Sequence, residues 1–302
     1  MAYVKGTVIN QIPYQPGICA TYVDGEQQSL VHILISSAVP GTLVRLADYV
    51  NHLTAPALVV RVEVADHVQV ILRDEWQPSS MLGTPSWSVH YTIGANAHVT
   101  IQQYQRWPTT LSGIIRTTIA CKSDSATEYY GVMRGGASME YDMQLLLEER
   151  ASSAHVSLVI IVNGDQKAMI TSMQRHTNAH TASTFLVRGL VKDQAYISCI
   201  GTVHLAEPAS AANAAQKSAF LLDGVGARAF AKPILEALNN EVSCTHGSAV
   251  GSLDEEQMTY CRLRGMHEHE ARTLLTRSFL TELCADQVTQ SVISDQLQKL
   301  FS

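Results

Sequence analysis

The sequence has little charge, and neither sign dominates. Charged residues make up 16% of the 302 positions, with 21 Lys and Arg against 27 Asp and Glu, while 46% of the residues are apolar. This composition excludes disorder for most of the chain, because disordered segments combine low hydrophobicity with high net charge. The net charge of −6 also lacks the basic excess of nucleic-acid-binding proteins. We therefore expect a folded protein that does not bind nucleic acid.

Long apolar runs and a secretory leader pattern are also missing. No stretch of about 18 uncharged apolar residues occurs, so we expect no membrane-spanning helix. The first residues contain no basic segment followed by an apolar core. The six cysteines form no CxxC pair, and cysteines this sparse predict reduced, mostly buried thiols. Together these features predict a cytoplasmic protein.

The short motifs that identify common enzymes are absent too. There is no GxxxxGK[ST] phosphate loop, no HExxH, no GxSxG and no zinc-ribbon spacing. Gly224 and Gly226 lack the third glycine and the strand–helix context of a dinucleotide-binding loop. We therefore expect that the chain binds no nucleotide and is not an enzyme by itself.

Short strands are the main feature that the sequence does contain. Segments rich in Val, Ile, Thr and Tyr recur at spacings near ten residues, for example at 58–64, 67–73, 87–93, 98–101 and 157–162. Many short strands predict a sandwich, a barrel or a β-solenoid. The scarcity of Asn-Gly hairpin turns and of aromatic residues (6%) favours the solenoid, whose narrow core takes small and β-branched side chains.

The pattern becomes helical after residue 252. Ser252 and Glu255 are spaced as a capping box, and Gly265 stands where the first helix should end. Apolar residues at spacings of three and four predict two further helices that begin near residues 267 and 286. We therefore divide the chain into an N-terminal segment of unassigned structure (1–55), a β core (56–251) and a C-terminal helical region (252–302).

Histidines and one cysteine are the candidate metal ligands. His176 and His180 would lie about 13 Å apart on a strand, which favours structural roles over shared ligation. Cys244 and His246 project from the same face of an extended segment, about 7 Å apart. A thiolate beside an imidazole suits iron or an iron–sulfur fragment, but further donors would be needed. Metal ligation and a packed structural pair both stay open for Cys244 and His246.

An ordered series of motifs in the second half of the chain resembles the SufB/SufD family, the scaffold proteins of the SUF iron–sulfur cluster assembly machinery. The motifs are HTAS at 180–183, AAQKSAFLLD at 214–223, AKPILE at 231–236, VSCTHGSAVG at 242–251, LDEE at 253–256 and YCRLRGM at 260–266. The resemblance covers roughly residues 175–283, and residues 56–175 agree in β character alone. The longer N-terminal helical portion of many members is expected to be short or missing.

The resemblance implies a mainly β protein, with a right-handed parallel β-helix core and a small C-terminal helical region. It also implies dimerisation through the β-helix and docking of the ABC-type ATPase SufC on the C-terminal helices. The nucleotide chemistry would then belong to that partner. We expect Tyr260, Arg264 and Gly265 to form the ATPase-docking elbow. A plain helix end with a surface arginine is the alternative for Arg264 and Gly265.

Within the family, the motifs are more similar to SufD than to SufB. SufB members carry a cysteine where this chain has Lys217, and a glutamate where it has Gly247. The similarity to SufD implies that His246 ligates iron or a transient iron–sulfur cluster at a subunit interface, with Cys244 as an accessory ligand. A SufB-like subunit, or a second copy of this chain, would supply the missing thiolate.

Two other functions stay open. β-Helix enzymes that act on polysaccharides use carboxylate clusters and aromatic platforms, and the β region has few Asp and Trp residues for such a site. Alternatively, the chain could be a purely structural dimerisation subunit in which His246 binds nothing.

Overall fold

The protein folds as a parallel β-helix of two facing sheets. The computed structural model describes residues 16–23, 28–50, 56–76, 85–284 and 286–301. Sheet A contains, in spatial order, β1 (Ile18–Val23), β2 (Gln28–Ile35), β4 (Ala57–Val64), β6 (Ser86–Ile93), β8 (Ser112–Cys121), β10 (Ser138–Leu147), β12 (Lys167–His176), β14 (Tyr196–Leu205) and β16 (Arg228–Ala237). Sheet B contains β3 (Leu43–Arg45), β5 (Gln69–Trp76), β7 (His98–Trp107), β9 (Ala126–Gly135), β11 (Ser153–Val162), β13 (Ala182–Lys192), β15 (Asn213–Asp223) and β17 (Ser243–Gly251).

The chain crosses from one sheet to the other after nearly every strand. Neighbouring strands within a sheet are therefore parallel, apart from the antiparallel pair β1–β2. Successive coils lie in register, so that side chains of one kind stack in rows. One buried row in sheet A contains Val62, Tyr91, Ile119 and Leu145. The β-helix predicted from the sequence is thereby confirmed.

The β-helix begins earlier in the chain than the predicted boundary at residue 56. β2 already pairs in parallel with β4, and Val31, Ile33 and Ile35 are fully buried. The alternation within residues 28–35 drives this pairing, because it gives the strand one apolar face for the core. Three stretches of the predicted segment 1–55 lie outside the described residues, namely 1–15, 24–27 and 51–55.

One backbone conformation recurs at the corners where the chain passes from sheet A to sheet B. At six of the corners that lead from sheet A to sheet B, a residue with φ between 55° and 62° donates its backbone N–H to a carbonyl of the next coil. For example, the N–H of Asn96 lies 2.9 Å from the oxygen of Ser123, and the N–H of Asp124 lies 3.1 Å from that of Arg150. The corner residues are His67, Asn96, Asp124, Ala151, His180 and Ala211. Since backbone atoms join the coils here, the corners need no repeated side chain.

The helices are α1 (Ala47–Val50), α2 (Glu255–Leu263), α3 (Glu268–Thr281) and α4 (Gln287–Phe301). The last three confirm the helical tail, but the predicted Ser252 cap is wrong. Asp254 caps α2 instead, since its Oδ1 accepts from the backbone N–H groups of Glu256 and Gln257 at 2.7 and 3.2 Å. Ser252 lies two residues too early, outside the helix. Among the described residues no helix is long and apolar enough to cross a membrane.

Helices α3 and α4 cover the outward face of sheet B. Leu280, Ile293 and Leu297 pack with apolar residues of β7, β9, β11 and β13 in one buried cluster. The hydroxyls of Tyr104 and Thr289 lie 2.8 Å apart within this contact. The helices therefore cover the side of the β-helix and leave its C-terminal end uncovered.

Candidate functional site

The C-terminal end of the β-helix is open. β16 and β17 are the terminal strands of sheets A and B, and no described strand pairs with their outer edges. Nearly all residues of both strands are half-buried or exposed. An unpaired strand edge presents free N–H and C=O groups, and it is a template for pairing with another chain. The candidate site lies on this edge.

Cys244 and His246 share the inward face of β17. The register pairs Cys244 with Ala214 and His246 with Gln216, and both of these β15 residues are buried in the interior. Paired residues of parallel strands point to the same side, so the thiol and the imidazole also point inward at the open end. The two-residue spacing predicted this shared face.

The two side chains differ in exposure. Cys244 is half-buried against an apolar cluster that includes Val203 and Ala214, and this burial raises the pKa of its thiol. His246 is exposed. A cysteine must lose its proton to ligate a metal, so the raised pKa disfavours metal binding by Cys244 in the isolated chain.

The donor atoms on this chain fit part of an iron site. Thiolate sulfur and imidazole nitrogen are the ligands that iron–sulfur fragments use. In the described part of the chain, however, no group of three or more His, Cys, Asp or Glu side chains could hold a metal ion. At this end the described residues therefore supply two candidate donors, Cys244 and His246, and not a complete site.

Lys217 and Gly247 lie on the opposite face of the same strands. They are register partners on the outward side of sheet B, beside a pocket of about 420 Å³. Arg188 and Glu282 also line this pocket, and their side chains form an ion pair of 2.9 Å. Lys217 is adjacent in sequence to Gln216, the register partner of His246, but its side chain faces away from the imidazole.

Tyr260, Arg264 and Gly265 form one exposed elbow between α2 and α3. The Arg264 guanidinium lies 5.2 Å from the centre of the Tyr260 ring, and Tyr260 is 58% exposed. Leu263 beside them is 81% exposed. Gly265 has a φ of 90°, which ends α2 in a conformation that L side chains rarely adopt. The structure thus brings these predicted residues together on the surface.

Polar contacts connect α3 with sheet B, and the sequence alone gave no indication of them. Arg188 pairs with Glu282, donates to the carbonyl of Phe279 at 3.2 Å, and stacks on the Phe279 ring at 4.5 Å. Arg272 pairs with Asp223 of β15 at 2.8 Å. These bonds join α3 to β13 and to β15, and β15 is the strand that pairs with β17.

His176 has a structural role, as the sequence favoured. Its ring is fully buried, and Nδ1 and Nε2 lie 2.8 and 2.7 Å from the hydroxyls of Thr181 and Ser183. Burial lowers the pKa of His176 to about 4. His180 occupies a corner with a φ of 60°. Both partners of the His176 ring are hydroxyl side chains.

Comparisons with known proteins agree with this architecture. The family model of the SufBD core domain of the SUF iron–sulfur cluster assembly system matches residues 45–279. The SufBD family protein slr0076 of Synechocystis is 26% identical over 286 residues, which are 92% of this chain and 61% of the relative. SufD of Escherichia coli is 25% identical over 53% of this chain and 38% of the relative. SufD of Bacillus subtilis is 28% identical over 57% of this chain and 40% of the relative. The chain therefore spans about two fifths to three fifths of these relatives.

Proposed function

The chain belongs to the SufBD family of the SUF iron–sulfur cluster assembly system, and we propose that it acts as a SufD-like subunit of such an assembly complex. In this role it pairs with a SufB-like subunit or with a second copy of itself, and it docks SufC-type ABC ATPases. It aids the entry of iron and the assembly of the cluster at the dimer interface. The chain is not an enzyme by itself and binds no nucleotide. We place the complex in the cytoplasm.

The residues at two positions support the SufD-like assignment. Lys217 and Gly247 replace the cysteine and the glutamate that the resemblance leads us to expect in SufB. A lysine ammonium has no lone pair with which to bind iron, and glycine has no side chain. His246 is then the principal ligand from this chain, and the partner supplies the thiolate.

The single observation that carries the proposal is the position of His246 on an open strand edge. Strand addition to β17 would place a partner about 4.8 Å from this strand, within reach of the imidazole. It would also cover Cys244 and His246 and remove them from water. An interface formed this way completes the ligand set at the moment of pairing, and iron in it is cargo that enters and leaves with the cluster.

The elbow at Tyr260 supports the docking of an ATPase. Tyr260 and Leu263 expose a large apolar surface beside Arg264, and tyrosine and arginine are common anchors in protein interfaces. The ion pairs Arg188–Glu282 and Arg272–Asp223 then transmit movements of the docked ATPase to β13 and β15. ATP-driven closure of the ATPase would in this way shift β15, with which the His246 strand β17 pairs, and open the interface to iron.

We expect His246→Ala to lower the yield of assembled cluster about tenfold, because the interface loses one of the ligands. The measurement is reconstitution with a SufB-like subunit and a SufC-type ATPase, followed by visible absorption of the cluster. Thr245→Ala is the matched control, since Thr245 lies on the same strand but points outward. If His246→Ala assembles clusters as well as the wild type, the chain is a structural dimerisation subunit.

We expect Tyr260→Ala to weaken binding of the ATPase about 30-fold, because a buried tyrosine anchor contributes about 2 kcal/mol to an interface. Binding is measured by calorimetry between the purified chain and the ATPase. Gln298→Ala is the control, because Gln298 is exposed on α4. The two variants should unfold at the wild-type temperature. Equal affinity of Tyr260→Ala and the wild type would exclude the elbow as the docking site.

A further inference from the structure

The side-chain amide of Gln216 is buried, and only one of its two polar atoms has a hydrogen-bond partner. It points into the β-helix from β15 and is only 5% exposed. Its Nε2 lies 3.4 Å from the hydroxyl of Ser172. The same nitrogen packs over Gly201, where an added Cβ would approach it to 1.4 Å. The amide nitrogen is therefore held in place, and Gly201 provides the space that it needs.

The oxygen of this amide has no donor. Gln216 Oε1 is buried and lacks a hydrogen-bond partner among the described residues. Leaving a buried acceptor unpaired costs about 1–3 kcal/mol, so native proteins seldom keep one without a function. Because Ser172 already occupies Nε2, the oxygen remains available to a donor from the neighbouring strand.

His246 is the next side chain in the same row. The parallel register pairs Gln216 with His246, and paired residues on adjacent strands stand about 4.8 Å apart on the same face. An imidazole carries an N–H donor on one nitrogen in its neutral form. His176 shows that this protein fixes another imidazole with side-chain oxygens, at 2.7 and 2.8 Å.

We propose that Gln216 is a positioning residue for His246. Rotation of the exposed His246 side chain brings one ring nitrogen to Gln216 Oε1, which then accepts a hydrogen bond from it, and this bond fixes the ring in one tautomer. The other nitrogen then faces the open end with its lone pair free for iron. Outer partners of this kind orient metal-binding histidines and raise their basicity. The metal-binding part of this inference rests on the proposed function, whereas the hydrogen bond does not.

The first test identifies the tautomer of the His246 ring in the absence of metal. Nitrogen NMR of the imidazole is recorded on the full chain at about pH 8.5, about two units above the pKa of a free imidazole. His246→Ala identifies the signal. We expect one tautomer in the wild type and in Gln216→Glu, which keeps an acceptor oxygen, and a mixture in Gln216→Met. A mixture in the wild type overturns the proposal, even if Gln216→Met does not fold.

The second test measures the binding of Co²⁺ to the complex of each of these chains with a SufB-like subunit, in which the donors of the partner complete the site. We expect Gln216→Met to lower the affinity 10- to 100-fold, as loss of an outer partner does at other metal sites. Gln174→Met is the matched control, because it removes another buried amide with a free oxygen that lies outside the row of His246. Unchanged affinity in Gln216→Met, or an equal loss in Gln174→Met, overturns the proposal.

The two tests also separate this inference from the proposed function. A tautomer that depends on Gln216, together with full Co²⁺ affinity in His246→Ala, supports the hydrogen bond and refutes the metal role of His246. Loss of Co²⁺ affinity in His246→Ala, together with a tautomer that Gln216→Met does not change, supports the metal role and refutes the positioning by Gln216.

Discussion

Ser248→Pro is expected to weaken the pairing of this chain with its SUF partner about 30- to 100-fold while leaving the fold intact. The N–H of Ser243 bonds to the carbonyl of Ala212, on the side of β15. Along a strand in a parallel sheet, successive N–H groups point alternately to the two neighbouring sides. Since the N–H of Ser243 points to β15, those of Cys244, His246 and Ser248 point to the open side. Proline at 248 removes one of these outward donors and none of the bonds to β15.

The size of the effect follows from the interface that the edge would form. A partner carbonyl that loses its donor inside an interface costs about 1–3 kcal/mol, and 1.4 kcal/mol corresponds to a tenfold change in affinity. The proline ring adds a clash with the incoming strand. Proline also requires an extended residue before it, and Gly247 is already in a strand.

Sedimentation of the purified chain, alone and with a SufB-like subunit, measures the pairing. Ser248→Ala is the matched control, because it removes the hydroxyl but keeps the backbone N–H. We expect Ser248→Ala to associate like the wild type, and both variants to keep the wild-type unfolding temperature within a few degrees. Normal association of Ser248→Pro would show that the pairing surface lies elsewhere, and the proposed role of the open end would then fail.

Local sequence patterns predicted part of this fold, and the resemblance implied the parallel β-helix. Alternation of apolar residues located five strand segments, and the change of period after residue 252 located the helical tail. The segment before residue 56 was left unassigned, although the strand at 28–35 alternates like the others. No repeat was visible because the coils are joined at their corners by backbone bonds, as at Asn96 and Asp124, which leave no side-chain signature.

The candidate site was predictable only in part, because its geometry combines local and long-range relations. The shared face of Cys244 and His246 follows from their spacing of two. The pairing of His246 with Gln216 depends on a register across 30 residues, which no local pattern specifies. The contact of Arg188 with Glu282 is likewise a product of the fold. Single-sequence reasoning can therefore identify candidate ligands on one strand but not the residues that lie beside them on the next strand.

Asp74→Asn is expected to stabilise the protein at neutral pH by up to about 3 kcal/mol. Asp74 points into the β-helix and is 1% exposed, and its Oδ2 accepts from Trp87 Nε1 at 3.1 Å and from Gln103 Nε2 at 2.8 Å. Burial raises the pKa of Asp74 to about 6, although these two bonds oppose the shift. An unfolded aspartate has a pKa of about 3.9, and one pKa unit is worth about 1.4 kcal/mol.

The direction in which Asp74 makes stability change with pH follows from proton binding. Between pH 3.9 and 6 the folded protein holds a proton on Asp74 that the unfolded chain has lost, so the stability contributed by this group falls as the pH rises. Above pH 6 the folded state carries a buried carboxylate, and the full cost is present. Asparagine cannot ionise, and its oxygen still accepts hydrogen bonds. The gain in Asp74→Asn should therefore be largest above pH 6 and small below pH 4.

His176 makes the opposite contribution in nearly the same interval. Because burial lowers the pKa of His176 to about 4, the unfolded chain binds a proton between pH 4 and 6.5 that the folded protein does not. Stability from this group thus falls as the pH decreases, by up to about 3 kcal/mol. The two buried groups nearly cancel in the wild type, and their contributions should give a flat profile between pH 4 and 6.5.

In Asp74→Asn, the dependence of stability on pH that His176 causes should therefore become visible. We expect the free energy of unfolding of Asp74→Asn, measured in urea, to fall by about 3 kcal/mol from pH 7.5 to pH 4, while the wild type changes little. Asp142→Asn is the control, because this half-buried aspartate lies on the outward face of β10. It should follow the wild-type profile within about 0.5 kcal/mol. An equal profile for Asp74→Asn and the wild type would mean that Asp74 ionises normally inside the β-helix, and that its burial is not what limits stability at neutral pH.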